Sequence, residues 1–156
     1  MKNKSVISFL IFFLFFINNC GFTPQYSSVN GLEFSIVLNK VEGERDLNNA
    51  LKAQIKRYEN TNNSDLRIIN INIESKFITE TISKNTLGEV TRYNLKANIK
   101  FDIIENGVKE NVIFSDEFKI DKITDNVEEK NYFKIVKENF AKLAVDKLIS
   151  KIRQKR

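Results

Sequence analysis

The amino-acid sequence predicts an α+β fold, a two-layer sandwich in which two helices pack on one face of a four-stranded, mainly antiparallel sheet. Two segments carry apolar residues at helical spacing, and four segments alternate apolar and polar residues as half-buried strands do. Each helix has one apolar stripe and the sheet has one apolar face, so the stable arrangement buries these surfaces against each other. The predicted order of elements is β-α-β-β-β-α.

The chain begins with a segment that is typical of a lipoprotein signal peptide, residues 1–19. A short basic head precedes the apolar run SVISFLIFFLFFI, which is shorter than the roughly 20 residues that a membrane-spanning helix needs. Cys20, the single cysteine of the chain, follows this run. Because the arrangement resembles bacterial lipoprotein precursors, Cys20 is the expected lipid-attachment site. A free structural cysteine after an ordinary secretory cleavage is the alternative.

The next segments predict a tether, a strand and a helix. Residues 20–31 contain proline, serine and glycine, which favours an extended tether, and residues 32–156 then form a single domain. The segment LEFSIVLN predicts a strand whose inward residues are Leu32, Phe34, Ile36 and Leu38. Residues 44–60 predict a helix whose apolar side consists of Leu47, Leu51, Ile55 and Tyr58. The polar residues 61–65 predict a loop.

Three further strands follow in a meander. The second predicted strand points Ile69, Ile71, Ile73 and Phe77 inward, and the turn SKNTLGE follows it. The inward residues of the third strand are Tyr93, Leu95, Ala97, Ile99, Phe101 and Ile103. After the turn ENG, the inward residues of the fourth strand are Val112, Phe114, Phe118 and Ile120. Asp116 interrupts this apolar face, and a β-bulge is the expected explanation.

The C-terminal segment predicts a long helix. Asp125 with Glu128 three residues later resembles a capping arrangement at its start. The apolar ridge consists of Val136, Phe140, Ala144, Leu148 and Ile152, widened by Phe133 and Leu143. Basic residues at the end of the chain suit the helix dipole, although they would also serve as a contact patch. The sequence leaves open whether the two helices run parallel or antiparallel.

Composition excludes several classes of function. The formal net charge is +5, without the dense basic stripe of a nucleic-acid binder, so no nucleic-acid partner is expected. The chain contains no histidine and its one cysteine is assigned to the anchor, which removes the usual neutral-pH base and nucleophile. It also lacks a glycine-rich phosphate loop. The sequence therefore predicts a protein that is not an enzyme and has no cofactor or metal site.

Two segments carry a family resemblance. The stretch CGFTPQY, from Cys20 to Tyr26, resembles the Cys-Gly-Phe-x-Pro-x-Tyr start of the lipopolysaccharide-assembly lipoproteins of the LptE/RlpB family, in its alphaproteobacterial type. The stretch DLNNALKAQI, residues 46–55, is similar to the first helix of that family, with Asn48 in place of the usual arginine. The predicted order of strands and helices is also that of the family.

The resemblance implies a function. Such proteins sit as a plug in the lipopolysaccharide translocon, a β-barrel of the outer membrane, help it to assemble, and bind lipopolysaccharide. Gly21 after the cysteine, rather than aspartate, favours the outer membrane as the location. In this family, a basic residue at the hairpin after the second strand binds the lipid, and Lys84 is the matching position here. Arg92 and Lys130 are further candidates.

Other functions share the same lipid anchor and fold. The protein would equally serve as a non-catalytic lipoprotein scaffold of another envelope machine, such as the outer-membrane barrel-folding complex. A small exported inhibitor or binding module is a third reading. Only the identity of the partner separates these alternatives.

Overall fold

A computed structural model describes residues 33–59 and 66–154 of the protein. The predicted signal peptide, the lipid-attachment residue Cys20, the tether up to residue 31 and the loop at 61–65 lie outside the described residues. The structure therefore concerns the predicted domain only.

The described elements follow the predicted order β-α-β-β-β-α. They are β1 (Phe34–Gly43), α1 (Arg45–Ile55) with a 3-10 turn (Lys56–Tyr58), β2 (Arg67–Lys84), β3 (Val90–Glu105), β4 (Val108–Asp121) and α2 (Asn126–Arg153).

The four strands form one sheet in the order β1-β2-β3-β4. β1 and β2 run parallel, whereas the β2–β3 and β3–β4 pairs are antiparallel. A parallel pair needs a crossover connection, and α1 provides it. The predicted α+β fold with a mainly antiparallel sheet is thereby confirmed.

The two helices run in the same direction. At the end of the α1 segment, the ring of Tyr58 stacks on Phe34 with the ring centroids 6.4 Å apart. In the last turn of α2, the carbonyl of Ile152 accepts a hydrogen bond from the Arg67 guanidinium at 3.3 Å. Phe34 and Arg67 are register partners at the starts of β1 and β2. Both helices therefore end where these strands begin, and the β2–β3 hairpin lies at the opposite end of the sheet.

One hydrophobic core fills the space between the helices and the sheet. The core residues that come from the helices are Leu47, Leu51, Ile55, Val136, Phe140, Ala141, Ala144, Val145, Leu148, Ile149 and Ile152. The inward residues predicted for β2 and β3 are buried or packed against this core, which confirms the register of their alternation. Phe101 of β3 and Phe140 of α2 belong to the same core, as the assignment of the buried sheet face requires.

A tight turn joins β1 to α1. Gly43 has φ +108°, and a Cβ at this position would lie 1.8 Å from the carbonyl oxygen of Ser75. The same oxygen accepts the N–H of Glu44 at 3.2 Å. The Glu44 side chain then caps α1 by accepting the N–H of Leu47 at 2.6 Å. In this turn, therefore, the chain passes too close to β2 for any residue larger than glycine.

The cap predicted for α2 is present. Asp125 is the N-cap residue, and its Oδ1 accepts the N–H groups of Val127 and Glu128, each at 2.8 Å. Two of the helix's free N–H groups are satisfied in this way.

The bulge expected at Asp116 is absent. The pairing of β3 with β4 continues without a shift from Glu105–Val108 to Arg92–Asp121, with Asp116 opposite Ala97. The Asp116 carboxylate instead accepts the N–H of Glu117 at 2.9 Å. A carboxylate on the apolar phase of β4 is tolerated because it lies at the edge of the sheet, where it satisfies a backbone donor.

Two residues predicted to be buried are half exposed. Phe118 of β4 is 46% exposed and Leu143 of α2 is 50% exposed. Both line an open groove between β4 and α2. The opposite flank of the helix is buried instead, through Ala141, Val145 and Ile149, because that flank faces α1 and the centre of the sheet.

Candidate functional site

The β2–β3 hairpin presents Lys84 at one end of the domain. Lys84 is the last residue of β2, and its register partner is Val90 of β3. The Lys84 side chain is exposed. Within residues 33–59 and 66–154 no ion pair or hydrogen bond involves this side chain, so its charge is available to a ligand.

The loop beside Lys84 is held by its own hydrogen bonds. Asn85 Oδ1 accepts the N–H groups of Leu87 and Glu89 at 3.0 and 2.9 Å, and Asn85 Nδ2 donates to Glu89 Oε2 at 2.8 Å. Two backbone hydrogen bonds also close the turn, Asn85 N–H to Glu89 O and Gly88 N–H to Asn85 O. These bonds order the turn that carries Leu87, which is 82% exposed and follows Lys84 by three residues.

Sequence reasoning missed Leu87. The available signal was one leucine within the polar turn SKNTLGE, where an apolar side chain has no core to enter. An exposed cation and an exposed apolar side chain on the same hairpin are a combination suited to an anionic amphiphile.

Arg92 forms a surface ion pair within the fold. Its Nε lies 2.8 Å from Asp121 Oδ1, and both side chains are largely exposed. The neighbouring residue Tyr93 packs edge-on against Phe133 of α2, so Arg92 projects from the other face of the sheet, away from the helices. An anion at Arg92 would have to compete with Asp121.

Lys130 lies in the second turn of α2 and is exposed. Among the described residues it forms no ion pair. It belongs to the helical layer at the same end of the domain as the hairpin, whereas Arg92 projects from the opposite face. The structure therefore places the three predicted residues, Lys84, Arg92 and Lys130, at one end of the domain but does not bring them together in one pocket.

The outer face of the sheet is covered by paired charges. Lys96 Nζ lies 2.9 Å from Glu80 and 3.7 Å from Glu117, and Asn94 donates to Glu117 at 3.1 Å. The hydrogen bond to Glu80 raises the pKa of Lys96, and that from Asn94 lowers the pKa of Glu117. These cross-strand pairs leave Lys96 less available to an external anion than Lys84 is.

Sequence reasoning also missed a half-buried cation between the helices. Lys137 of α2 lies 2.9 Å from Glu44 and 3.2 Å from Asp46, at the start of α1. Its Nζ also lies 5.0 Å from the centre of the Phe77 ring. Burial lowers the pKa of Lys137, but the hydrogen bonds and charges of Glu44 and Asp46 together outweigh it and raise the pKa above its ordinary value. The partners lie 91 and 93 residues away, so no local pattern predicts the contact.

The described residues contain no group of three or more Cys, His, Asp or Glu side chains that could hold a metal ion. In the same part of the chain, no helix has the length and apolar character needed to cross a membrane.

Comparison with known proteins identifies a family. The family model described as "LptE: Lipopolysaccharide-assembly" matches residues 30–152. No curated protein matches the chain significantly.

Solved lipoprotein structures are similar to this chain. The crystal structure of the rare lipoprotein B from Shewanella oneidensis has a TM-score of 0.52 and 13% sequence identity, over 74% of this chain and 96% of that chain. A minor lipoprotein from Acinetobacter baumannii has a TM-score of 0.47 and 18% identity, over 72% of this chain and 88% of that chain. At these identities, the Shewanella structure supports the fold and nothing further.

Proposed function

This chain belongs to the LptE family of lipopolysaccharide-assembly proteins, and on that premise we propose that it plugs the lipopolysaccharide translocon β-barrel of the outer membrane and helps it to assemble. It also binds lipopolysaccharide during insertion of this lipid in the outer leaflet. The family match supports the general role in lipopolysaccharide assembly. The barrel partner and the direct contact with lipid are the steps that we add.

The observation that carries the lipid-binding step is an exposed Lys84 that no described side chain pairs, in the same hairpin as the exposed Leu87, whose turn is fixed by hydrogen bonds. Lipopolysaccharide combines anionic groups with acyl chains. A charge-assisted hydrogen bond from Lys84 would bind the anionic groups, while Leu87 would contact the acyl region. Because the loop is already ordered, binding would cost little conformational entropy.

A non-catalytic role fits the chemistry of the chain. It has no histidine, and several carboxylates are held by lysines rather than free to act on a substrate. Asp102, for example, lies 3.3 Å from Lys100 and 3.1 Å from Lys109. These pairings support a protein that acts by binding.

We expect Lys84→Glu to weaken lipopolysaccharide binding by roughly ten- to a hundredfold, because it replaces one charge-assisted contact by a repulsion. The variant should fold normally, since Lys84 is exposed. Co-purification of the barrel should change little, because a broad interface does not depend on one charge at its rim. The measurement pairs barrel co-purification with binding of labelled lipopolysaccharide to the protein lacking residues 1–20.

Lys52→Glu is the matched control, since Lys52 is an exposed lysine of α1 away from the hairpin. Equal losses of lipid binding in the two variants would mean that net charge, not the hairpin, determines affinity. Unchanged binding in Lys84→Glu would reject Lys84 as the lipid-binding residue but keep the barrel proposal.

The anchor is a separate part of the proposal. Cys20 carries the acyl chains that hold the protein in the outer membrane, facing the periplasm, since several chains together give stable anchoring. We expect Cys20→Ser to abolish incorporation of a palmitate analogue in metabolic labelling. Equal labelling of the parent and the variant would contradict lipidation at this position.

A scaffold of the outer-membrane barrel-folding complex remains the competing function. Isolation of the native protein in mild detergent, followed by mass spectrometry, separates the two. Recovery of the lipopolysaccharide translocon barrel supports the plug, and recovery of barrel-folding components in its place supports the scaffold.

A further inference from the structure

β2 extends well beyond its parallel partner β1. The last register pair between the two strands joins Gly43 to Ser75, after which the chain turns into α1. β2 continues to Lys84, paired on its other side with β3. In the part of the chain that the structure describes, no strand occupies the position beside β2 after Ser75.

The backbone groups along this open edge can be assigned from the neighbouring pairs. Ser75 O accepts the N–H of Glu44 at 3.2 Å, so the backbone groups of Ser75 face the side of β1. Pairing with β3 continues without a shift from Asn70 to Thr81, and the facing direction alternates along a strand. The N–H and C=O groups of Phe77, Thr79 and Thr81 therefore point outward, and no described residue hydrogen-bonds to them.

The opposite edge of the sheet is protected, in contrast. On β4, the Lys147 side chain donates to the carbonyl of Ile113 at 2.9 Å, and the Asp116 carboxylate accepts the N–H of Glu117 at 2.9 Å. Side chains that occupy edge groups prevent the addition of another strand. On the β2 edge between Ser75 and the register shifts after Thr81, no described side chain hydrogen-bonds to the outward backbone groups.

We propose that β2, from Lys76 to Thr81, accepts an extended strand of another polypeptide by β-strand addition. Three outward donors and three outward acceptors, repeating every second residue, match the backbone of an extended chain and no lipid headgroup. On the outer face, the exposed Lys76 and the half-buried Ile78 favour a strand with an acidic residue beside the first and an apolar residue beside the second. The added strand would pair with β2 on the side where β1 pairs with it, in the position that is open after β1 ends at Gly43.

This interaction is independent of the lipid-binding step, because it uses backbone groups of β2 and not the charge of Lys84. It is also independent of which envelope machine contains the partner, since the edge selects an extended conformation.

The test introduces the photo-crosslinking residue benzoylphenylalanine at Thr81 of the full-length chain, in its native membrane. We expect an adduct with an extended segment of another polypeptide, mapped by mass spectrometry. Thr79→Pro removes one outward N–H without touching the β2–β3 ladder, so the adduct should fall by about tenfold. Thr79→Val keeps the N–H and should leave the adduct unchanged.

A second variant guards against misfolding of Thr79→Pro. Thr79→Lys keeps the backbone N–H but places a charge on the edge, which opposes strand addition, so it should also reduce the adduct. As a control, the crosslinking residue is placed at Ser115, on the protected β4 edge. Any adduct formed there should be the same with and without the Thr79 substitutions. No adduct at Thr81, an adduct that survives both Thr79→Pro and Thr79→Lys, or an adduct with a second copy of this chain would overturn the proposal.

Discussion

Replacing Gly43 by alanine is expected to lower the free energy of unfolding by about 3 kcal/mol or more. Gly43 has φ +108°, which L side chains rarely adopt, and its Cβ would lie 1.8 Å from Ser75 O. Relief of this clash requires β1 and β2 to separate where Glu44 N–H meets Ser75 O. The buried hydrogen bond from Ser75 to Asn48, at 2.8 Å, lies beside this turn and would be disturbed as well. Denaturant unfolding of the protein lacking residues 1–20 measures the effect.

Gly88→Ala is the matched control for this prediction. Gly88 also has a positive φ, +82°, but a Cβ there would meet nothing within 4 Å. Only the conformational cost of about 1–2 kcal/mol applies. If the two variants lose the same stability, the close approach of Gly43 to β2 is not what makes glycine necessary there.

Truncation of Phe101 to alanine is expected to cost about 3–5 kcal/mol, because the ring is fully buried at the centre of the sheet. Neither of the neighbouring strands leaves room for collapse, since Phe101 pairs with Ile73 on one side and Val112 on the other. The cavity would therefore persist between the sheet and the helices.

Leu87→Ala provides the comparison for the core variant. Leu87 is also apolar but 82% exposed, so its loss should cost about 0.5 kcal/mol or less. The difference in denaturant midpoint between the two variants tests the buried face of the sheet directly. A larger loss from Leu87→Ala than from Phe101→Ala would show that the buried face has been assigned wrongly.

Periodicity predicted the fold because the buried residues of each element recur at the spacing of a strand or a helix. The inward residues predicted for β2 and β3 all belong to the core or pack against it, and Asp125 capped α2 as its position indicated. The shared direction of the helices was not predictable from periodicity, since it follows from the contacts of Tyr58 and Arg67 across the sheet.

The errors arose at the edges of the sheet. Phe118 of β4 and Leu143 of α2 follow the apolar pattern but line the groove between these two elements, which no further described element covers. Asp116 breaks the pattern without a bulge, because an edge strand has a free N–H for its carboxylate to accept. Alternation identifies the face of a residue but not its distance from the edge.

The candidate site was predictable only in part. Lys84 could be placed at a hairpin because turn residues follow a regular strand. The ion pair between Arg92 and Asp121 could not be predicted, since it depends on the register of β3 and β4. Lys137 was missed for the same reason, because its partners come from the far end of the sequence.

The length of β2 determines how far the β2–β3 hairpin lies from the opposite end of the sheet. Its 18 residues span about 55 Å at roughly 3.3 Å per residue, with the start of β1 at one end and Lys84 at the other. The hydrocarbon core of a bilayer is only about 30 Å thick. The hairpin with Lys84 and Leu87 is therefore held farther from the start of β1 than the hydrocarbon core of a bilayer is thick.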